Sequence, residues 1–320
     1  MKVAVAGAGA FGTALAISLA VEGRDVSLVA RNQTAADRIR KNKENPKLVG
    51  CPLPNNLMLD GGQASLDGAD AILLAVPTQQ LRPFLNDHAN VCDGKYLVAC
   101  CKGIDLKTLK GPSSIIQESV PKAKAAVLTG PSFAFDIARG LPTALTLATK
   151  DEKDGQSLQT VLSTKSLRVY RSEDVLGAEL GGALKNVIAI GAGVAIGSGL
   201  GDSARSALMT RGFGEMRQLA EVLGAAPETL YGLSGFGDLA LTCTSSLSRN
   251  FCHGLALGKQ QDPDTTKTVE GVTTAQAVVT LAQKHGLDLP VCSVVAAICT
   301  GALTPNQALA SLLARPLKEE

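Results

Sequence analysis

Through the first 172 residues, apolar runs of strand length alternate with stretches of helical composition. KVAVAG near the N-terminus is apolar at almost every position, the pattern of a strand buried on both faces. TALAISLAVEG has helical composition and stops at Gly23. DVSLVA predicts a second strand. After a Pro-rich loop (CPLPNN), ADAILLAVP predicts a third, ending at Pro77, and TQQLRPFL starts a helix. KYLVACCKG is read as a strand with Lys102 at its carboxyl end, AKAAVLTGPSFAFDIARG as strand, turn and helix, and TALTLAT and SLRVYRS as strands. From about Ser172 the strand signals fade, and Ala/Leu/Gly-rich helical patterns run to Lys318. The pattern predicts an α/β chain: a Rossmann-type doubly wound sheet over residues 1–172, then an all-α domain over 173–320.

The junction of the first strand and helix carries G-x-G-x-x-G, as Gly7, Gly9 and Gly12. In that strand–turn–helix context the first glycine permits a tight turn. The second lets backbone approach a pyrophosphate, and the third lets helix and strand pack closely. This predicts a bound dinucleotide. About twenty residues on, an NAD-selective site would place a carboxylate for the ribose hydroxyls. Here the second strand ends in VARNQT, which offers Arg31 and Asn32 instead. A guanidinium there suits a 2′-phosphate; the lesser alternative is a solvated Arg opening a polar, charged helix. GSGLGD (residues 197–202) and GLSGFGD (residues 232–238) follow no strand and are read as turns, the latter within a loop that runs to Asn250. Asp202 and Ser203 are read as the cap of the helix that stops at Gly224, and Pro305 as a first-turn proline.

Composition narrows the chemistry. With 45% hydrophobic and 19% charged residues the chain is a folded protein long enough for two cores. A net charge of +2 and 3% aromatic residues disfavour nucleic acid or anionic membrane as partner, so an anionic ligand would be small and locally held. The eight Cys form no C-x-x-C pair and, with only three His, suggest neither a disulfide framework nor a metal site. Reduced thiols in apolar runs point to the cytoplasm. Residues 3–21 are apolar enough to imitate a signal peptide or membrane helix, but the glycines interrupt that run. No other segment reads as long and apolar enough to span a bilayer.

One stretch of the second half stands out. GGALKNVIAIGAG sets Lys185 and Asn186 in an apolar, small-residue run, which places Lys185 inside a long buried helix. A buried ammonium needs a partner. Either it serves chemistry, or it snorkels or pairs structurally with Glu179. Further on, Ser248-Arg249-Asn250 precedes FCHGLALG, so Arg249 falls at a helix N-terminus, where backbone N–H groups already favour an anion.

GAGAFGTALA, CCKGI, TGPSFA, GGALKNVIAIGAG, TRGFGEM, GFGDLALTCT, SRN and VEG occur in this order along the chain. Together they closely resemble the NAD(P)-dependent glycerol-3-phosphate dehydrogenases of bacterial type, over nearly the whole length. The resemblance implies reversible hydride transfer between NAD(P)H and dihydroxyacetone phosphate, giving sn-glycerol 3-phosphate for glycerophospholipid synthesis. It also implies a homodimer. It makes Lys185 the catalytic acid/base, more acidic through burial and a nearby Lys102, with Lys102 beside the substrate and Asp238 offsetting these charges. Gly130, Ser132, Asn186, Asp238, Ser248, Arg249 and Asn250 match substrate positions. Ala10, Phe11, Arg31, Lys102, Ala134, Arg249, Val269 and Glu270 match positions for NADP(H) or NAD(H). Where the family often has Ser and Tyr in the glycine loop, this chain has Ala10 and Phe11, which leaves backbone binding intact. Alternatives are a related NADP-dependent reductase of 6-phosphogluconate or ketopantoate type, and a nucleotide sensor without catalysis. A Schiff base at Lys185 is a further possibility that hydride transfer does not need.

Overall fold

The computed structural model describes residues 1–266 and 268–314, so the helical reading at Lys318 lies outside the described residues. The chain forms two compact units, residues 1–102 with 110–179 and residues 103–109 with 180–320.

In the first unit β1 (Val3–Ala6), β2 (Val26–Val29), β3 (Met58–Asp60), β4 (Ala71–Leu74), β5 (Tyr96–Ala99), β6 (Lys124–Thr129), β7 (Thr143–Ala148) and β8 (Leu167–Ser172) make one sheet of order β3-β2-β1-β4-β5-β6-β7-β8. All neighbours are parallel except β6 and β7. Between the strands run α1 (Ala10–Val21), α2 (Gln33–Asn42), α3 (Ala64–Asp67), α4 (Thr78–Asp87), α5 (Ala89–Cys92), α6 (Pro112–Ser119), α7 (Ala134–Ala138) and α8 (Glu152–Leu162). The first six strands reverse direction of travel at β1, and ligands of such sheets collect at the carboxyl ends of the strands there.

Both faces of the sheet are covered, which is why its strands lack alternation. Val3, Val5, Leu28 and Leu73 pack on one face with α1, while Ala4, Ala6, Ile72 and Leu74 pack on the other with α4 and α6. Helix α1 is buried from Gly12 to Ala20 and carries no charge, so residues 3–21 imitate a membrane segment for a reason internal to the fold. The helix at 78–87 holds Pro83 inside it. Strand β3 is absent from the sequence pattern because Met58–Asp60 is a short edge strand with an exposed Met58 and no apolar run.

The second unit holds α9 (Val175–Gly197), which begins in the first, then α10 (Gly201–Val222), a 3-10 turn (Pro227–Tyr231), a π-helical turn (Leu233–Gly237), α11 (Asp238–Cys243), α12 (Arg249–Gly258), α13 (Glu270–His285), α14 (Pro290–Cys299) and α15 (Pro305–Leu313). Three expectations change here. Helix α10 starts at Gly201 after Leu200 with no side-chain cap, so Asp202 lies in its first turn and the Asp202/Ser203 cap is not formed. Residues 233–238 are helical rather than a turn, and α11 follows where a loop was expected. Helix α9 is long and apolar enough to cross a membrane, contrary to the reading that only residues 3–21 approach that length. It is a core helix: 89% of its apolar window is buried, and it carries Glu179 and Lys185. Pro305 does occupy the first turn of α15, behind a capping box of Thr304 and Gln307.

Glu179 shows how α9 is held at its start. Its carboxylate accepts from the backbone N–H and the hydroxyl of Ser113, in the first turn of α6. Burial pushes the Glu179 carboxyl up to about 7, against the two Ser113 hydrogen bonds that lower it. A raised carboxylate pKa means the folded state keeps a proton that the unfolded chain has released. The resulting stability is complete below the ordinary value of 4.5 and is lost as pH rises to about 7. Glu179→Gln keeps an acceptor for the Ser113 N–H and a donor for its hydroxyl without a charge. Denaturant titrations are expected to show the variant more stable than the parent by about 1–3 kcal/mol at pH 8. The difference should vanish near pH 4.5.

Candidate functional site

The glycine loop after β1 is shaped by close contact. Gly7 has φ 113, in the region that favours glycine, and a Cβ there would lie 2.6 Å from the Ala75 carbonyl oxygen. A Cβ on Gly12 would overlap the carbonyl oxygen of Gly7 and lie 2.9 Å from Ala75 Cβ. Around Gly9 nothing lies within 4 Å of a Cβ position. Gly9 also opens α1 with no side-chain cap, and the first turn, with Ala10 and Phe11, carries no carboxylate. The N–H groups that a helix leaves unsatisfied at its start thus have no side-chain cap of their own here. That cradle fits a dinucleotide pyrophosphate.

Further along the carboxyl ends, the first unit gathers several of the expected residues. Lys102, three residues past β5, donates from Nζ to the Gly130 carbonyl oxygen at 2.9 Å and lies 5.9 Å from the centre of the Phe11 ring. Ser132 Oγ donates to the same carbonyl at 3.1 Å, and Ala134 opens α7. Phe11, Lys102, Gly130 and Ser132 thus converge from the first turn of α1 and two loops. Arg31 is exposed just after β2, and Asn32 caps α2 by accepting from the Ala35 N–H at 2.9 Å. The first turn of α2 holds no acidic residue, and Asp37 further in is taken up by Arg40 and Gln33.

In the second unit Lys185 is 7% exposed, inside α9 as expected. The partner its burial demands is Asp238, not Glu179. Lys185 Nζ lies 3.1 Å from Asp238 Oδ1 and donates to Thr242 Oγ1 at 2.7 Å. Thr242 in turn donates to Asp238 Oδ1 at 3.1 Å. Asp238 and Thr242 are four residues apart on α11 and so share a face of that helix. Thr242 is the residue that sequence reasoning misses, because the segment reads as a loop; once it is helical, the D-x-x-x-T spacing is the signal. The arrangement holds an ammonium in place with its charge offset and its donors aimed, a construction suited to giving and retrieving a proton.

At the next residue of α9, Asn186, the helices are tied together. Asn250 donates from Nδ2 to Asn186 Oδ1 at 2.8 Å and accepts from the Gly271 N–H at 3.0 Å. Because a backbone N–H can only donate, Gly271 fixes which way the Asn250 amide faces, and Asn250 in turn fixes Asn186. A Cβ on Gly271 would lie 2.6 Å from Asn250 Oδ1 and 2.7 Å from the Asn186 carbonyl oxygen. Ser248 caps α12 by accepting from the Phe251 N–H at 3.1 Å, and Arg249 occupies the first helical position, exposed. Val269 and Glu270 form the start of α13. Lys185, Asn186, Asp238, Thr242 and Asn250 are thereby brought into two hydrogen-bond groups that start from neighbouring residues of α9, with Arg249 at a helix start that can hold an anion.

The thiols are not part of this chemistry. All eight are free, six of them buried. Burial pushes Cys100 and Cys243 up to about 12, which keeps them as unreactive thiols.

Comparison with known proteins agrees with the geometry. A family model described as NAD-dependent glycerol-3-phosphate dehydrogenase N-terminus matches residues 2–155, and the corresponding C-terminus model matches residues 174–310. Glycerol-3-phosphate dehydrogenase (NAD(P)+) of Ruegeria sp. strain TM1040 is 56% identical over 321 residues, with 100% of each chain covered. The enzyme of the same name from Paracoccus denitrificans is 55% identical over 320 residues, again covering 100% of each. The crystal structure of glycerol-3-phosphate dehydrogenase from Coxiella burnetii superposes with a TM-score of 0.93 at 36% identity, covering 98% of this chain and 99% of that one. With both family models matched and full-length relatives above half identity, the chain belongs to the NAD-dependent glycerol-3-phosphate dehydrogenase family.

Proposed function

We propose that Lys185 is the proton donor and acceptor in the reversible reduction of dihydroxyacetone phosphate to sn-glycerol 3-phosphate by NAD(P)H, feeding glycerophospholipid synthesis. Reducing a ketone takes a hydride on carbon and a proton on oxygen. The nicotinamide, when bound, supplies the hydride. The glycine cradle of Gly7, Gly9, Ala10, Phe11 and Gly12 holds the pyrophosphate, with Arg31 toward a 2′-phosphate and Lys102, Ala134, Arg249, Val269 and Glu270 as further cofactor contacts. On the proton side, Lys185 Nζ gives its proton to the forming alkoxide. Asp238 and Thr242 keep the ammonium oriented, and the resulting amine is reprotonated for the next turnover. Lys102 and Asn186 steady the substrate oxygens. The phosphate is met by the α12 N-terminus, through Arg249, Asn250 and Ser248, and by Gly130 and Ser132.

The observation that carries this reading is the buried Lys185–Asp238–Thr242 group, whose 2.7 and 3.1 Å contacts a snorkelling lysine would lack. A homodimer and a cytoplasmic location complete the proposal; the free thiols support the latter. Family membership sets aside the 6-phosphogluconate and ketopantoate alternatives, and the intact proton-transfer group disfavours a sensor without catalysis. The test is loss of nicotinamide absorbance with dihydroxyacetone phosphate against dihydroxyacetone and 2-ketoacids. Turnover that ignores the phosphate would overturn it.

Arg249→Ala should weaken recognition of that phosphate. Losing one charge-assisted contact of about 1.5–3 kcal/mol predicts a fall in kcat/KM of roughly 10–150-fold, with discrimination against unphosphorylated dihydroxyacetone shrinking in step. An unchanged preference for the phosphorylated substrate would place the phosphate elsewhere.

A further inference from the structure

We propose that Gly61, on the turn after edge strand β3, is a positioning residue for cofactor choice: its bare Cα seats the Arg31–Asn32 turn that reads a 2′-phosphate. The inference rests on the reading of Arg31 as the 2′-phosphate partner. Strands β2 and β3 run parallel with Val29 beside Asp60, and the Ala30 N–H donates to the Asp60 carbonyl oxygen at 2.8 Å. The chain therefore leaves both strands side by side, Arg31 on one and Gly61 on the other. Gly61 is pressed against the neighbouring turn. A Cβ there would overlap the backbone N and Cα of Gln33 and the carbonyl carbon of Asn32.

Backbone atoms cannot rotate out of the way as a side chain can, so any residue larger than glycine must displace residues 32–33. Gly61 is not among the glycines with left-handed φ, so conformation does not demand glycine here; proximity does. Displacement would spread in two directions. Asn32 caps α2, so the helix start moves with it, and Arg31 is the residue immediately before.

The β3 side of this contact is itself pinned. Asp60 accepts from the Gly62 N–H at 2.9 Å through Oδ1 and from the Ser65 N–H at 3.0 Å through Oδ2. Burial pushes the Asp60 carboxyl up, but hydrogen bonds from Ser65, Gly62 and Gly61 outweigh it and hold the group below its ordinary value. The turn after β3 is a built, charged support, and Gly61 is the point where it touches the turn after β2.

The experiment is a double-mutant cycle read as the ratio of kcat/KM for NADPH to that for NADH, in the parent, Gly61→Ala, Arg31→Asp and the double variant. Gly61→Ala is expected to lower the ratio by about three- to tenfold, mainly through KM for NADPH, since one exposed guanidinium–phosphate contact supplies only modest discrimination. A defect confined to packing would lower both cofactors alike. In the Arg31→Asp background Gly61→Ala should move the ratio little further, because the two act on one contact. A ratio unchanged by Gly61→Ala but lowered by Arg31→Asp overturns the role of Gly61 and leaves that of Arg31. A ratio unmoved by Arg31→Asp overturns the reading of Arg31 and this inference with it. Should Gly61→Ala fold poorly, Asp60→Asn loosens the same turn without adding an atom at position 61. It should shift the ratio in the same direction, and no shift would count against the inference.

Discussion

Lys185→Met is expected to lower kcat by about 10²–10⁴-fold, the usual contribution of general acid catalysis, while NADPH still binds. The variant also carries a structural cost that has to be separated from the chemical one. Lys185 and Asp238 are 3.1 Å apart with side chains 8% and 1% exposed. Removing the ammonium alone strands a buried carboxylate, which typically costs about 3–5 kcal/mol. A loss of activity in the single variant could then reflect unfolding. Lys185→Met combined with Asp238→Asn removes both charges. The amide introduced by Asp238→Asn can still accept the Thr242 hydroxyl, so the pair should recover much of the stability of the parent and none of its turnover. Thermal melts and stopped-flow cofactor binding on all three proteins decide the matter. If the double variant regained a tenth or more of the parental kcat, Lys185 would be a structural cation and the proton would come from another group.

The residues of that group are legible in the sequence to different degrees, and the reasons are physical. The β1 strand, its glycine loop and α1 follow one another within 21 residues, so local pattern alone places the cradle. Lys185 is visible as a charge in an apolar run. Its hydroxyl partner is not, because the glycines of residues 232–238 imitate a turn. They serve close approach instead: a Cβ on Gly235 would overlap the Leu230 carbonyl oxygen, and one on Gly181 of α9 would lie 2.6 Å from that of Ser234. Glu179 offers itself as the sequence-near partner of Lys185, on the same helix. Its real partner, Ser113, lies 66 residues upstream, beyond the reach of any periodicity. The Asn186–Asn250–Gly271 link likewise joins residues 64 and 21 positions apart. Hydrophobic pattern reports which face is buried; it does not report which buried polar groups meet.

The glycines in the second half of α9 have a use of their own, apart from the lysine. Gly193 and Gly197 on α9 face Gly254 and Gly258 on α12, each set spaced four residues apart along its helix. A Cβ on Gly193 would overlap the Phe251 carbonyl oxygen, and one on Gly254 would overlap that of Ile190. Position 258 is closed by the Val194 carbonyl and position 197 by that of Leu255. The two backbones therefore touch along a ridge of i, i+4 positions, close enough for Cα–H to carbonyl contacts. Gly254→Ala must push the helices apart. Overpacking costs about 1–3 kcal/mol and here has only backbone to displace, whereas the better helix propensity of alanine returns no more than about 1 kcal/mol. The expected result is a net loss of stability of about 2 kcal/mol. Gly214, exposed on α10 with nothing within 4 Å of its Cβ position, is the matched control. The same substitution there should stabilise the protein by roughly 0.5–1 kcal/mol, through propensity alone. Denaturant titration of the two variants must give opposite signs. Since α9 carries Lys185 and α12 starts at Arg249, Gly254→Ala should also lower kcat/KM, and Gly214→Ala should leave it unchanged. A Gly254→Ala protein as stable and active as its parent would mean the helices have room to spare, and the close glycine contact would have no hold on the site.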